Sequence, residues 1–212
     1  FSKNVSDDTK KKIKKLGVSG VMVATNHSFG CYVICMARGW LPIKQVGTKY
    51  AKIGDTYLDA HIASFHRIKG HIKNVDDCEE CAIQYGFVRE MLTFIVSQSR
   101  TFAVAPEHGA LSRINSQMVC VDKETLAGYL SDALPLALDI LATGQRNLAE
   151  IDFLDMLRLP VVNALEIPKF DFVFLDECQD LNGAQIALVE YILAKTGARL
   201  LAVGDPKQAI YG

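Results

Sequence analysis

Apolar positions along the chain change their period twice, and the changes mark its organisation. Near the start, Asp7 or Asp8 is placed to cap a lysine-rich helix from about Thr9 to Leu16, with Gly17 as a left-handed stop. Val18 to Thr25 is short, apolar and β-branched, which predicts a buried parallel strand running into a polar loop at Asn26-His27-Ser28. From Phe29 to about Asn147 the pattern turns helical, with helices expected near Phe29–Arg38, Asp76–Ser97 and Thr125–Ala142. Turns are expected at Leu41-Pro42, Pro106 to Gly109 and Thr143-Gly144. In the second helix Cys81, Tyr85, Val88, Leu92 and Ile95 recur at three and four, a core-facing stripe.

After Glu150 the period changes again. Phe170 to Leu175 is an apolar run broken only by Asp171, Gly183 to Lys195 is a helix with Ile186, Val189, Ile192 and Leu193 inward, and Arg199 to Val203 is a second run, apolar after Arg199. Strand, helix, strand predicts a parallel pair with a right-handed crossover, which places functional loops after Leu175 and after Val203. The expected fold class is α/β, with an α-rich insert over about residues 31–147 between a first part, 1–30, and a second, 148–212.

Composition narrows the function classes. With 212 residues, 50% apolar and 22% charged, the chain can bury a sizeable core and is neither disordered nor of low complexity. No apolar run is long enough to span a membrane, and no signal peptide opens the chain. The six cysteines read as reduced thiols in a cytoplasmic protein. A start at Phe1 and a stop at Gly212 lead us to expect a piece of a longer protein. The net charge of −1 conceals an asymmetry: residues 1–73 hold 13 Lys+Arg against 4 Asp+Glu, and the remainder 10 against 20. A basic stretch is the footprint of a polyanion, although Lys10, Lys11, Lys12, Lys14 and Lys15 can equally be the solvated side of a helix.

The chemistry concentrates at the two strand ends. Asp176-Glu177 puts two carboxylates where an apolar strand emerges, and Gly204-Asp205-Pro206-Lys207-Gln208 follows about 28 residues on. Mg²⁺ keeps most of its waters and takes one or two protein carboxylates, so Asp176 suffices as a ligand. Glu177 is then free to polarise a water attacking a γ-phosphate, in a reaction that depends on positioning and charge neutralisation.

Phe174-Leu175-Asp176-Glu177-Cys178-Gln179-Asp180 resembles the Walker B segment (motif II) of UvrD-like superfamily 1 DNA helicases. Val203 to Gly212 resembles the family's motif III, and Ala24 to Gly30 its Thr-x-His-Ser-Phe segment. Phe1-Ser2-Lys3 is similar to the end of motif Ia, where the family usually has Phe-Asn-Lys, and Asp152 to Leu157 resembles the Asp-Phe-x-Asp stretch ahead of motif II. The order is the family's, and the elements run from one end of the chain to the other.

The resemblance implies a partial RecA-like P-loop motor domain with a parallel sheet and an inserted α-rich subdomain. It implies ATP and Mg²⁺ as cofactors, with Asp176 binding Mg²⁺, Glu177 as catalytic base and Gln208 contacting the γ-phosphate. Tyr211 would stack on a base, and Phe1, His27 and Ser28 would lie along the single strand, contacts that position without reading sequence. The implied function is ATP-dependent translocation on single-stranded DNA and unwinding of duplex, in DNA repair or replication, with nuclease or repair partners unknown. The implied location is the nucleoid of a bacterial or phage-infected cell.

One departure is large: no Gly-x-x-x-x-Gly-Lys-Ser/Thr occurs in the sequence, so these 212 residues are not expected to hydrolyse ATP alone. The rival reading is a non-helicase P-loop ATPase, or a DNA-binding subunit of a helicase-nuclease complex, which need not keep Gln208 and Tyr211. A structural module with a dead site is opposed by Asp176, Glu177 and Gln208. Cys78 and Cys81, with Cys31 and Cys35, could make a thiolate zinc site, but Glu79 and Glu80 would repel thiolates, and packed core is the preferred reading. His61, His66 and His71 read as a solvated basic loop, and Trp40, Tyr50 and Tyr57 as packing aromatics.

Overall fold

The computed structural model describes residues 3–61, 79–102, 123–205 and 207, which form two compact units, residues 46–152 and residues 1–45 with 153–212. The elements in chain order are α1 (Lys3–Lys15), α2 (Asn26–Ala37), β1 (Lys44–Gln45), α3 (Lys49–His61), α4 (Glu79–Thr101), α5 (Lys123–Arg146), β2 (Glu150–Ile151), α6 (Asp155–Val162), β3 (Phe172–Leu175), a 3₁₀ turn (Cys178–Asp180), α7 (Gly183–Thr196) and β4 (Arg199–Ala202).

The α/β unit holds α1, α2, α6, α7 and the β3–β4 pair. Its helix α1 begins before Asp7 and Asp8, so neither is the cap expected of it. They sit one turn ahead of Lys10 and Lys11, each 3.6 Å from its partner, exposed pairs that contribute a few tenths of a kcal/mol at about that order. Gly17 does end the helix at φ +67°. The expected strand at Val18–Thr25 is absent. Gly20 at φ +76° interrupts the extended run, Val18, Val21 and Met22 are exposed, and no described residue pairs with it in a ladder.

The polar residues that follow are the first turn of α2 and not a loop. Thr25 caps the helix: Ser28 N–H donates to Thr25 Oγ1 at 3.1 Å, and Thr25 N–H donates to Ser28 Oγ at 2.9 Å, a reciprocal capping box. Phe29, Gly30, Val33 and Ile34 are the buried face of α2, and it packs on α6, which packs in turn on α7. Gly30 is where α2 and α6 meet most closely. A Cβ there would run into the Met156 carbonyl, with the carbonyl carbon at 2.7 Å, and backbone cannot swing aside as a side chain can. Gly30→Ala is therefore expected to cost about 1–3 kcal/mol in a urea titration, by overpacking. A change below about 0.5 kcal/mol would mean that the helices separate freely.

β3 and β4 pair in parallel with Phe172 opposite Arg199 and Leu175 opposite Ala202, as strand, helix, strand predicts. Asn182 caps the connecting α7 through Gln185, and Gly197 closes it at φ +69°. Burial departs from expectation. Phe172, Phe174, Leu200 and Leu201 are exposed, at 72% for Phe174, although such apolar runs belong to sheets covered on both faces. Ile186 is exposed as well, because the buried side of α7 is carried by Ala184, Leu188, Val189 and Ile192.

The helical unit, residues 46–152, builds its core from α3, α4 and α5: Tyr50 and Leu58, then Val88, Met91, Leu92, Ile95 and Val96, then Ala133, Leu136, Ala137, Ile140 and Leu141. Helix α3 has no counterpart in the pattern reading, because its charged residues hide a face made largely of Tyr50, Ile53, Tyr57 and Leu58. The turn expected at Thr143-Gly144 is also helical. Gly144 serves close packing, since a Cβ there would lie 2.7 Å from the Tyr50 hydroxyl oxygen. The turn expected at Pro106 to Gly109, His66, His71 and Cys78 lie outside the described residues.

Two arginine–carboxylate pairs tie this unit together, and burial separates their weight. Arg89 grips Asp55 with two hydrogen bonds of 2.6 and 3.0 Å, which hold the Asp55 carboxyl below the usual range, but the pair lies in water and contributes little. Arg100 and Asp152 pair while buried, and the Arg100 guanidinium lies 3.6 Å from the centre of the Tyr50 ring.

Candidate functional site

The site is built at the carboxyl ends of β3 and β4. The ladder runs past the strands, because Val203 N–H donates to the Leu175 carbonyl at 2.8 Å and Cys178 N–H to the Val203 carbonyl at 3.1 Å. Two loops 25 to 28 residues apart in sequence are thereby held side by side.

Asp176 and Glu177 are both exposed at the end of β3. Glu177 N–H donates to Asp176 Oδ1 at 3.1 Å. Glu177 adopts φ 54° and ψ 43°, the left-handed region that a non-glycine residue enters at a cost of about 1 kcal/mol or more. That sharp bend starts the 3₁₀ turn, with Asp180 N–H donating to the Glu177 carbonyl at 3.1 Å. Gln179 Nε2 donates to Glu177 Oε2 at 2.7 Å, and Gln179 Oε1 accepts from Asp205 N–H at 3.0 Å. Gly204 passes so close to Cys178 that a Cβ would lie 2.7 Å from its sulfur and 3.2 Å from its amide nitrogen. The Lys207 amide donates to Asp205 Oδ1 at 2.9 Å.

A hard divalent cation fits this donor set: an exposed carboxylate at a strand end leaves most of the coordination sphere to water, as Mg²⁺ prefers. No group of three or more metal-ligating side chains occurs among the described residues, and the side chains of Cys78 and Cys81 lie outside them. Cys31 and Cys35 lie one turn apart on α2, and burial, then the neighbouring Cys35, pushes the Cys31 thiol up.

His27 and Ser28 are on the first turn of α2. The Ser28 hydroxyl donates to the Thr25 carbonyl at 3.0 Å, so a phosphate contact has to exchange that bond. His27 stacks on Phe153, with ring centres 3.6 Å apart and planes 18° off parallel. Phe153 is 56% exposed, and its partnership with His27 was not legible in the sequence, since 126 positions separate them with no periodic signal. Phe1, Gln208 and Tyr211 lie outside the described residues.

Burial lowers the His27 pKa from 6.5, so the folded protein holds fewer protons on this ring than the unfolded chain. The neutral ring's stabilisation is full above about pH 6.5 and is lost as pH falls through the lowered folded value. His27→Phe, which keeps the stack and removes the titration, is expected to flatten the fall in stability between about pH 7 and 5. An unchanged slope would show that His27 does not set it.

A mixed helix and sheet unit with a small parallel sheet and paired strand-end loops is compatible with part of a helicase motor domain. The UvrD/REP helicase N-terminal domain family matches residues 1–212, and the chain belongs to that family. No curated protein matches the chain.

Proposed function

We propose that this chain is the part of an ATP-dependent DNA helicase that couples Mg-ATP hydrolysis to movement on single-stranded DNA and to unwinding of duplex. The observation that carries the reading is the pairing of the Asp176-Glu177 loop with the Gly204-Asp205 loop, in a chain of the UvrD/REP family. The α/β unit is read as a partial RecA-like motor, and the helical unit as its inserted subdomain.

Mg-ATP is the substrate, and its metal neutralises charge on the transferring phosphoryl group. Asp176 holds that metal, and Glu177 accepts the proton of the attacking water. Gln208 contacts the γ-phosphate. Phe1, His27, Ser28 and Tyr211 line the single strand, with Tyr211 stacking on a base. The sequence has no phosphate-cradling Gly-Lys loop, so hydrolysis belongs to a polypeptide that supplies one, and the 212 residues alone are inactive. We place its action in repair or replication, at the nucleoid of a bacterial or phage-infected cell.

The test is made in the native full-length protein. Tyr211→Ala is expected to lower single-strand affinity by about 1–3 kcal/mol, the worth of one base stack, and to reduce unwinding with it. Affinity should fall steeply with salt as phosphates release counterions. If Tyr211→Ala leaves DNA affinity and unwinding unchanged while hydrolysis runs, the rival non-helicase ATPase replaces this reading.

A further inference from the structure

We infer that Gln179 is a positioning residue that ties the Glu177 carboxylate to the loop after β4, so that displacement of that loop moves the carboxylate. This rests on the function proposed above and adds the part by which one strand-end loop communicates with the other.

The geometry leaves the Gln179 amide one orientation. Asp205 N–H can only donate, so it must meet the amide oxygen, and it does so at 3.0 Å. The NH₂ group is thereby turned the other way, to an acceptor, the Glu177 carboxylate oxygen at 2.7 Å. One rigid planar group therefore spans the two loops, and neither bond can be kept if the other end moves by much more than hydrogen-bond tolerance. Gly204 makes room for this bridge. A Cβ at that position would overlap the Gln179 amide oxygen and press on the Cys178 sulfur at 2.7 Å. The left-handed backbone at Glu177 is a second mark of this bridge, since a strained conformation persists where its surroundings hold it, and the Gln179 bond and the Cys178 amide bond to Val203 are among the contacts that hold it here. Three residues after Asp205 in the sequence comes Gln208, and three further on Tyr211, so the bridged loop leads straight into the residues assigned to phosphate and DNA.

Three substitutions in the native full-length protein separate the two bonds. Gln179→Ala removes both. Gln179→Glu keeps an acceptor for Asp205 N–H but has no proton for Glu177 and sets a second negative charge beside it. Gly204→Ala displaces the amide without touching its chemistry. Amide exchange at Asp205, read by mass spectrometry with residue-level fragmentation and without nucleotide, is expected to quicken roughly tenfold in Gln179→Ala and Gly204→Ala, the loss of one ordinary hydrogen bond, and to stay slow in Gln179→Glu. All three should lower kcat for ATP by about tenfold or more, with KM within about twofold, and all should lose most of the stimulation by single-stranded DNA. The double variant Gln179→Ala with Gly204→Ala should be no worse than the more impaired single one. Unchanged Asp205 exchange in Gln179→Ala, or DNA stimulation kept in a variant whose Asp205 exchange has quickened, overturns the bridge while the proposed function stands. A wild-type protein that hydrolyses no ATP overturns both.

Discussion

Glu177→Gln is expected to abolish ATP turnover in the native full-length protein, by about 10²-fold or more, while nucleotide and DNA binding survive. The size follows from what the substitution removes. The amide has nearly the shape of the carboxylate, so the bend at φ 54° and the neighbouring Asp176 are left in place. Only the negative charge and the proton acceptance proposed for Glu177 are lost, and a metal held by Asp176, as proposed, would not depend on them. Retained binding with absent turnover is therefore the signature, measured by steady-state hydrolysis and by nucleotide titration on the same sample. Turnover near the wild-type rate would remove Glu177 from the chemistry. Loss of nucleotide binding together with turnover would instead make Glu177 part of the metal site.

The largest stability effect is expected at Arg100. Arg100→Ala should destabilise the helical unit by about 3–5 kcal/mol, because it leaves the Asp152 carboxylate buried without its cation. The guanidinium also covers the Tyr50 ring at 3.6 Å, so the truncation opens a void between α3 and α4. Arg89→Ala is the control: it breaks a two-hydrogen-bond pair that lies in water, and should cost far less than Arg100→Ala. Replacing both Arg100 and Asp152 with leucine should restore much of the loss, since the penalty arises from a stranded charge. Urea titrations of the four proteins decide it, and equal costs for Arg89→Ala and Arg100→Ala would show that burial does not set the weight of these pairs.

Much of the architecture was legible because it depends on period alone. The β3, α7, β4 succession and its parallel pairing follow from two short apolar runs flanking an amphipathic helix, and Gly17 takes the left-handed stop its position calls for. The stripe on α4 was visible in the same way, and Val88, Leu92 and Ile95 are core. Family membership too was written in the motif order from Phe1 to Gly212. Helix α3 was missed because lysines and aspartates dilute its apolar face below what a window can register, and it is packing on α4 and α5 that gives that face its use. The strand expected at Val18–Thr25 does not form, since apolar and β-branched composition says nothing about whether a ladder partner stands alongside.

The sequence by itself determined which residue types arrive at the strand ends, because a carboxylate pair after an apolar run is a local pattern. Tertiary structure alone decided how those ends are joined. The hydrogen bonds of Gln179 to Glu177 and to Asp205, the room at Gly204, the His27 stack on Phe153 and the approach of Gly30 to Met156 all join residues whose distance in sequence carries no period. Contacts of this kind depend on how two elements are packed to within an ångström, and packing at that precision is set by the whole core together, so no window along the chain contains it.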